Sequence, residues 1–285
     1  MKEAWLVVNA FLQGGSFFKM EQVLLEAARD QGMHLITKTN ADFIRESSLL
    51  DAPPAALFFD KDIKLAARME QTGMRLFNSA DAIAVCDDKT LTALAIDKAG
   101  LPQPKTILCP MTYPGIGYDG PPFLHQVVDE LGLPLVVKEG KGSFGQQVYL
   151  VNSLEELDRL VRRLGATEIL FQRFIQEAAG TDLRLYVVGG DVVASIRRVN
   201  TQNDFRANLE NGATAHPYSP NPEEARLALA ACDACQTDFA GVDLLQSRDG
   251  PLVCEVNSNA HFLGLMAVTG RNPARHIVNL LKEAL

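Results

Sequence analysis

The chain has 285 residues, of which 47 % are apolar and 22 % charged, and it carries a net charge of −8. The length predicts two or three domains. The composition is that of an ordinary globular protein, without the eighteen-residue apolar run that would span a membrane. The acidic balance argues against nucleic acid as a partner, because a general nucleic-acid binder needs a basic face. Anionic small molecules remain open as ligands wherever lysines and arginines are concentrated.

The cysteine count and the first residues bear on location. Five cysteines are an odd number without a disulfide framework, which fits a reducing compartment. The apolar run Ala4–Val8 is too short for the core of a signal peptide and reads as a first strand. We therefore expect a cytoplasmic protein.

The first 77 residues alternate between strand and helix patterns, which predicts a parallel sheet with helices on its faces. The predicted strands are Leu6–Val8, Leu35–Lys38 and Ala56–Phe59, and the predicted helices are Val23–Gln31 and Lys61–Thr72. Ligands usually bind such sheets at the carboxyl ends of the strands. The loop Asn9–Phe18 is therefore a candidate substrate loop, although a plain connection is at least as consistent with its sequence.

A change of pattern near residue 80 predicts a domain boundary there. A helix over Lys89–Ala99 is ended by Gly100-Leu101-Pro102. Six prolines then fall between residues 102 and 122, together with several glycines. This composition predicts a linker or flap.

A strand–loop–strand unit follows, with strands at Leu135–Lys138 and Gln147–Val151. The loop between them contains GKGSFG, which matches G-x-G-x-x-G. A dinucleotide-binding fold needs a helix after the glycines, and here a strand pattern follows. A protein kinase needs a lysine beyond the loop and partner motifs that this chain lacks. The unit instead predicts a flexible hairpin whose backbone N–H groups cover a triphosphate.

The central part of the chain offers an adenine site and an anion site. After a helix at Glu155–Leu164, the strand Ile169–Ile175 ends at a loop whose backbone could bind an adenine edge, or simply cross over. A hairpin follows, with strands at Leu183–Val188 and Val192–Ile196. Nearby polar residues indicate an anion site, with ordinary surface charge as the alternative: Arg184, Arg197, Arg198, Arg206, Asn203, Asn208 and Asn211.

The last third of the chain is predicted to begin with a helix from Asn221 to Thr237 and to end with a short helix at Asn279–Leu285. Cys232 and Cys235 form a C-x-x-C pattern inside the first of these helices. Two core thiols on one helix face are favoured there over a metal or redox pair.

Between these helices lies a hairpin that suggests a metal site. The apolar runs Val242–Gln246 and Leu252–Val256 flank a turn at 248–250, and if Ser247 faces Pro251, Asp243 lies opposite Glu255. Asn257 shares a strand face with Glu255. Carboxylate and amide oxygens suit Mg²⁺ or Mn²⁺ better than zinc. From spacing alone, a solvated strand end with unrelated acids is an equal alternative.

Four motifs in this order resemble the ATP-grasp superfamily, and within it the RimK-type ligases, over roughly residues 78–270. They are NSADAIAVCDDKTLT, LPLVVKEGKGSFGQQVYLV, ILFQRFIQEAAGTDLRLYVVGGDVVASIRR with DFRANL, and AGVDLLQSRDGPLVCEVN. The resemblance implies an α/β ATP-grasp fold behind a Rossmann-like amino-terminal domain. We expect an amino-terminal domain at 1–80, a central subdomain with the glycine-rich flap at 81–171, and a carboxy-terminal subdomain with the metal and substrate site at 172–285.

The resemblance also implies roles for individual residues. The implied ATP-binding residues are Lys89, Lys138, Lys141, Gly142, Ser143, Gly145, Gln172, Arg173, Phe174, Ile175, Asp182 and Arg184. The implied ligands of two Mg²⁺ or Mn²⁺ ions are Asp243, Glu255 and Asn257. The residues implied to face the reacting carboxylate and the γ-phosphate are Arg198, Arg206 and Asn208.

The family pattern continues Asn-Ala-Ser-Pro-Gly after the metal asparagine, whereas this chain reads Asn257-Ser258-Asn259-Ala260-His261. That loop normally faces substrate, so Asn259 and His261 are candidate substrate contacts and the substrate is left open. Packing is an equal alternative for His261.

The resemblance implies an ATP-dependent carboxylate–amine ligase that forms an acyl phosphate and releases ADP and phosphate. Its substrates would be an amino acid such as glutamate and a small molecule or peptide. A small-molecule kinase on the same scaffold and a nucleotide-binding regulator without turnover are the alternatives. We also expect a homo-oligomer, either a dimer or a tetramer.

Overall fold

The computed structural model describes residues 2–12, 14–143, 145–202 and 204–285. Phe144 of the predicted glycine hairpin, Asn203 of the predicted anion site and Gln13 of the predicted substrate loop lie outside the described residues. Within the described part, no helix combines the length and the apolar character needed to cross a membrane.

The first sheet has four parallel strands in the order β2-β1-β3-β4. They are β1 (Lys2–Val8), β2 (Met33–Thr39), β3 (Ala55–Phe59) and β4 (Arg75–Phe77). The accompanying helices are α1 (Gly15–Asp30) and α2 (Ile63–Glu70), with 3-10 turns at Asn40–Phe43 and Glu46–Leu49. The parallel sheet confirms the prediction. The predicted loop at 9–18 was too long, because α1 already begins at Gly15.

Two helices, α3 (Ala80–Asp87) and α4 (Lys89–Lys98), connect the first sheet to the second. Asp88 separates them and caps α4, since its carboxylate accepts from the N–H groups of Thr90 and Leu91. The proline-rich stretch contains the short strand β5 (Thr106–Leu108), and α5 (Phe123–Leu131) follows it. The sequence pattern did not predict either element.

The second sheet is antiparallel, with the strand order β5-β8-β6-β7. Its longer strands are β6 (Leu135–Glu139), β7 (Val148–Val151) and β8 (Ile169–Arg173), and α6 (Leu154–Leu164) packs on it. The predicted strand after the glycine loop is confirmed. β8 ends at Arg173, so Phe174 and Ile175 lie in the loop. The expected domain boundary at 171 falls within β8, and the division into domains stays a prediction.

The third sheet has the order β11-β10-β9-β12-β13. Its strands are β9 (Thr181–Val188), β10 (Asp191–Val199), β11 (Thr214–Pro217), β12 (Phe239–Ser247) and β13 (Gly250–Asn257). The helices are α7 (Pro222–Ala234), α8 (Leu263–Thr269) and α9 (Pro273–Ala284), and 3-10 turns lie at Gln176–Ala178 and Leu209–Asn211. The predicted final helix began six residues too late, because Pro273 at its first turn was not used as a start signal.

The β12–β13 hairpin places Asp243 opposite Glu255, as predicted, but through a different register. Ser247 pairs with Gly250 rather than Pro251, so the turn contains two residues instead of three. A bulge at Cys254 then shifts the pairing by one residue and restores the predicted partner of Asp243.

Alternation along β9 divides the core between the two faces of the third sheet. Leu183, Leu185 and Val187 join a cluster under α7 that includes Cys232 and Cys235, so the prediction of two core thiols is confirmed. Tyr186 and Val188 join a second cluster with residues of α1, α9 and the first sheet. The first and third sheets therefore share one apolar core.

Candidate active site

A cavity of about 910 Å³ lies where the three sheets meet. Asn9 and Asp60 reach it from the ends of β1 and β3, Lys138 from β6, Gln172 from β8 and Asp243 from β12. The predicted site residues line it, with the exception of Lys141, which is exposed and not part of the lining. The fold therefore brings the predicted set together, and the roles of its members stay predictions.

Two lysines converge beneath the glycine hairpin. Lys138 is only 8 % exposed, and its Nζ lies 3.7 Å from the Sγ of Cys254. Lys89 begins α4, and its Nζ donates to the carbonyl of Gly142 at 2.9 Å and lies 3.7 Å from Glu255. Two ammonium groups held below the glycine hairpin provide the positive charge that a bound triphosphate needs.

The hairpin needs glycine where it approaches the third sheet. Gly145 has φ +69°, and a Cβ added there would lie 2.6 Å from the Oδ1 of Asn208. The carbonyl of Gly145 accepts from Nη1 of Arg206 at 2.7 Å. Ser143 Oγ accepts from Lys61 Nζ at 3.3 Å. The loop is thus anchored by the segment that contains Arg206 and by a lysine of the amino-terminal sheet.

The end of β8 forms one wall of the cavity, as the adenine prediction requires. Gln172 is buried, and its Nε2 donates to Thr106 Oγ1 at 3.0 Å. Phe174 packs edge-on against Phe205 with ring centroids 6.2 Å apart. The guanidinium of Arg173 instead reaches the carbonyl of Glu130 at 3.4 Å. The backbone of residues 172–175 is therefore better placed than the Arg173 side chain to meet a base.

A buried network of two arginines and two aspartates forms the floor. Arg184 bonds both oxygens of Asp243, at 2.7 and 2.6 Å. Arg198 bonds both oxygens of Asp182, at 2.6 and 2.5 Å, and also lies 3.0 Å from Asp243. The four side chains come from the neighbouring strands β10, β9 and β12, whose period of two places them on the same face.

Burial and pairing compete in setting the charges of this network. Burial raises the pKa of Asp182 to about 6, although Arg198 acts in the opposite direction. Burial would also raise the pKa of Asp243, but Arg184 and Arg198 together outweigh it and hold that pKa below its usual value. Burial lowers the pKa of Arg198, and the two carboxylates more than compensate, so the guanidinium stays charged. Asp243 is therefore the more firmly ionised of the two acids.

Two of the predicted anion-site arginines behave differently from this pair. Arg206 lines the cavity and bonds Asp204 and the glycine hairpin. Arg197 is exposed and does not line the cavity, because it points to the face of β10 opposite Arg198. Including Arg197 in the anion site was wrong.

The predicted metal set consists of neighbouring oxygen donors. Asp243 and Glu255 face each other across the hairpin, and Asn257 is two residues further on β13. No group of three His, Cys, Asp or Glu side chains with metal-site spacing occurs among the described residues. Two carboxylates and an amide fit Mg²⁺ chemically. The oxygens of Asp243 would have to be shared between the metal ion and arginine, since both already accept hydrogen bonds from arginine.

The loop that follows the proposed metal ligand Asn257 packs against the amino-terminal domain. Asn259 Nδ2 donates to the carbonyl of Asp60 at 2.8 Å. The ring of His261 stands edge-on to Phe17, with centroids 4.5 Å apart. Both predicted substrate residues therefore lie where the third sheet meets the first.

Sequence reasoning assigned no individual role to several residues that line the cavity: Asn9, Phe17, Asp60 and Lys61. Phe17 and Asn9 fall in the predicted loop at 9–18, and Asp60 and Lys61 follow a predicted strand at its carboxyl end. That position was the available signal. Asn78, which does not line the cavity, opens the first family motif, but that motif did not reveal its contacts with residues 160 or more positions away.

A glycine hairpin and a carboxylate-bearing hairpin that enclose a cavity between two antiparallel sheets define an ATP-grasp fold. The sequence model of the RimK-like ATP-grasp domain matches residues 86–281. A protein of Parasynechococcus marenigrum named probable alpha-L-glutamate ligase is 31 % identical over 225 residues. That match covers 78 % of this chain and 46 % of the relative, so the chain spans less than half of that relative's length.

Solved structures agree on the fold. A RimK domain ATP-grasp protein from Sphaerobacter thermophilus has a TM-score of 0.74 at 21 % identity, over 97 % of this chain and 99 % of its own. The ATP-grasp ligase PsnB, complexed with a phosphomimetic variant of a minimal precursor, Mg and ADP, has a TM-score of 0.71 at 17 % identity, over 99 % and 98 % of the two chains. The chain belongs to the RimK-like ATP-grasp family, whose members include carbon–nitrogen ligases that use ATP and Mg²⁺.

Proposed function

We propose that this protein is an ATP- and Mg²⁺-dependent ligase that joins a carboxylate to an amine through an acyl phosphate, with an amino acid or a small peptide among its substrates. The observation that carries the proposal is the shared cavity. Lys89 and Lys138 line it, the Arg184–Asp243 and Arg198–Asp182 pairs form its floor, and residues that follow strands of the amino-terminal sheet line it as well. Nucleotide and acceptor could therefore meet over the floor.

The chemistry explains why these groups are useful. A carboxylate oxygen attacks the γ-phosphorus of ATP, the bond to the β-phosphate oxygen breaks, and ADP leaves. The amine nitrogen then attacks the acyl carbon, phosphate departs with the electrons of the C–O bond, and the nitrogen loses a proton. Both steps require positioning and neutralisation of negative charge more than a protein nucleophile.

The residues of this chain supply that charge in a rigid form. Lys89 and Lys138 would contact the phosphates. Arg198 is held by two carboxylates, so its remaining N–H groups keep a fixed direction without reorganisation. Arg206 and Asn208 lie against the glycine hairpin, so they would be positioned next to the γ-phosphate when the hairpin covers it. Mg²⁺ held by Asp243, Glu255 and Asn257 would neutralise phosphate charge when bound.

The test is an ADP-release screen over pairs of acids and amines, with the product identified by mass. We expect release that needs both an acid and an amine and yields an amide with one water lost. ADP release with a hydroxylated acceptor alone, giving a phosphoester, would support the kinase alternative. Nucleotide binding without any turnover across the screen would support the regulator.

A variant tests the proposed metal site. Glu255→Gln keeps the size of the side chain and removes one negative charge, so we expect at least a hundredfold loss of kcat and a higher Mg²⁺ requirement. Glu283→Gln on exposed α9 is the matched control and should behave as the parent. Normal activity and Mg²⁺ dependence in Glu255→Gln would remove Glu255 from the metal site.

A further inference from the structure

A buried acid of the amino-terminal sheet lines the cavity without a cationic partner. Asp60 follows β3 and is 5 % exposed. Its oxygens accept from Asn9 Nδ2, at 3.0 and 3.2 Å, and from the backbone N–H of Lys61 at 2.7 Å. The ammonium of Lys61 goes to Asp87, at 2.5 Å, and to Ser143. Within the described chain, Asp60 forms no ion pair, although buried carboxylates are normally paired with a cation.

A second acceptor lies beside it. The Nδ2 of Asn259 donates to the backbone carbonyl of Asp60, which fixes the orientation of the amide. Its Oδ1 is buried and accepts no hydrogen bond from any described residue. Leaving a buried acceptor unpaired costs about 1–3 kcal/mol. Asn259 lines the same cavity as Asp60, so a donor carried by a ligand could satisfy it.

The two acceptors specify the chemistry of the group that would fill the site. An anionic carboxylate and an amide oxygen both require donors, and only a cation compensates the buried charge. A primary ammonium has three N–H donors and one positive charge, whereas a hydroxyl has a single donor and no charge. A carboxylate or phosphate would be repelled by Asp60.

The surroundings of this end of the cavity are apolar and aromatic. Phe17 and His261 meet edge-on, and Leu12 and Met20 line the cavity on the α1 side. Leu12 is 48 % exposed, which leaves apolar surface available to a ligand. An apolar side chain of a ligand would pack against these groups.

We propose that Asp60 and the Oδ1 of Asn259 bind the primary ammonium of the amine substrate, and that Phe17 and Leu12 pack against an apolar part of it. The substrate class is thus an apolar amine, such as an amino acid or peptide with an aromatic or branched side chain, rather than glutamate. The assignment of this ammonium to the amine substrate rests on the proposed ligase function. The binding site itself is testable without turnover.

Isothermal titration calorimetry provides the test, with phenethylamine, 2-phenylethanol and L-glutamate as probes. Each is titrated into the protein alone and into the protein saturated with Mg²⁺ and a non-hydrolysable ATP analogue. We expect phenethylamine to bind at least tenfold more tightly than the other two probes. Equal binding of 2-phenylethanol would overturn the ammonium site, and tighter binding of glutamate would overturn the apolar preference.

Matched variants locate the binding. Asp60→Asn should weaken the binding of phenethylamine at least tenfold. Asp62→Asn only replaces one good helix cap by another, so it should leave this affinity unchanged. Phe17→Ala should weaken it severalfold, whereas Phe18→Ala, whose side chain is 60 % exposed and outside the cavity lining, should not. Retained affinity in Asp60→Asn would contradict the assignment.

The nucleotide titration separates the two proposals. If the ATP analogue fails to bind, the ligase function is wrong, while phenethylamine binding to the protein alone still tests the ammonium site. If ADP release proceeds with an amine whose KM does not change in Asp60→Asn, the ligase stands and the ammonium site is wrong.

Discussion

Replacing Asn78 by alanine tests how the amino-terminal sheet holds the active-site loop. Asn78 follows β4 and is fully buried. Its Nδ2 donates to the carbonyls of Phe239, at 2.9 Å, and Ser258, at 2.8 Å. Its Oδ1 accepts from the N–H groups of Asp238, at 2.6 Å, and Phe239, at 3.2 Å. A single side chain thus joins the first sheet to β12 and to the loop after the proposed metal ligand Asn257.

The magnitude follows from these four bonds. A typical buried hydrogen bond contributes about 1 kcal/mol net, and a buried group that loses its partner costs about 1–3 kcal/mol. Asn78→Ala leaves two carbonyls and two N–H groups unpaired, in a place where water has no access. We therefore expect the free energy of unfolding to fall by about 4 kcal/mol.

Urea titration measures this change, with far-UV circular dichroism and tryptophan fluorescence as the two signals. Trp5 is the single tryptophan of the sequence and is buried in β1. Asn279→Ala is the control, because Asn279 is exposed on α9 and its side chain bonds the exposed Glu283. It should change stability by less than about 0.5 kcal/mol. A loss below about 1 kcal/mol in Asn78→Ala would refute the reasoning, since the carbonyls and N–H groups would then have found other partners.

Three further predictions concern charge, pH and packing. Lys138→Ala should weaken ATP binding at least tenfold in an equilibrium titration, because it removes a buried ammonium next to the proposed phosphate position. Asp238→Asn should flatten the pH dependence of stability, because burial raises the folded-state pKa of Asp238 above its ordinary value of 3.8. The ionised acid therefore weakens the parent as the pH rises from 3.8 through that raised pKa, and the variant should gain stability relative to the parent over this interval in urea titrations. Gly241→Ala should lower stability by about 1–3 kcal/mol and raise the KM of the amine, since a Cβ there would lie 2.6 Å from that of Ala260.

Each of these has a matched control. Lys98→Ala at the exposed end of α4 should bind ATP as the parent does. Asp233→Asn on the exposed side of α7 should leave the pH profile unchanged. Gly15→Ala should be tolerated, because nothing lies within 4 Å of an added Cβ. Unaltered ATP affinity in Lys138→Ala, a gain for Asp238→Asn that is the same at every pH, or a fully stable Gly241→Ala would each contradict the corresponding argument.

Most of the fold could be predicted where local pattern decides the structure. Alternation of strand and helix patterns gave the parallel sheet, and the glycine loop between two strand patterns gave the β6–β7 hairpin. Short elements such as β4, β5 and β11 were missed, because three or four residues carry too little periodicity to identify a strand. The β12–β13 hairpin shows how a correct pairing can come from a wrong register, since turn length and bulge position compensate each other.

The sequence by itself determined the ATP-grasp family, the apolar faces of the strands and the residue types available to the site, because spacing and alternation are local properties. Only the tertiary structure decided which of these residues meet. Arg197 and Arg198 are neighbours in sequence but point to opposite faces of β10, so only Arg198 reaches Asp243. Asp60 and Asn259 are 199 residues apart and touch only because β3 and β13 both end at the same cavity. Contacts between distant segments depend on how sheets pack, and no local pattern records that packing.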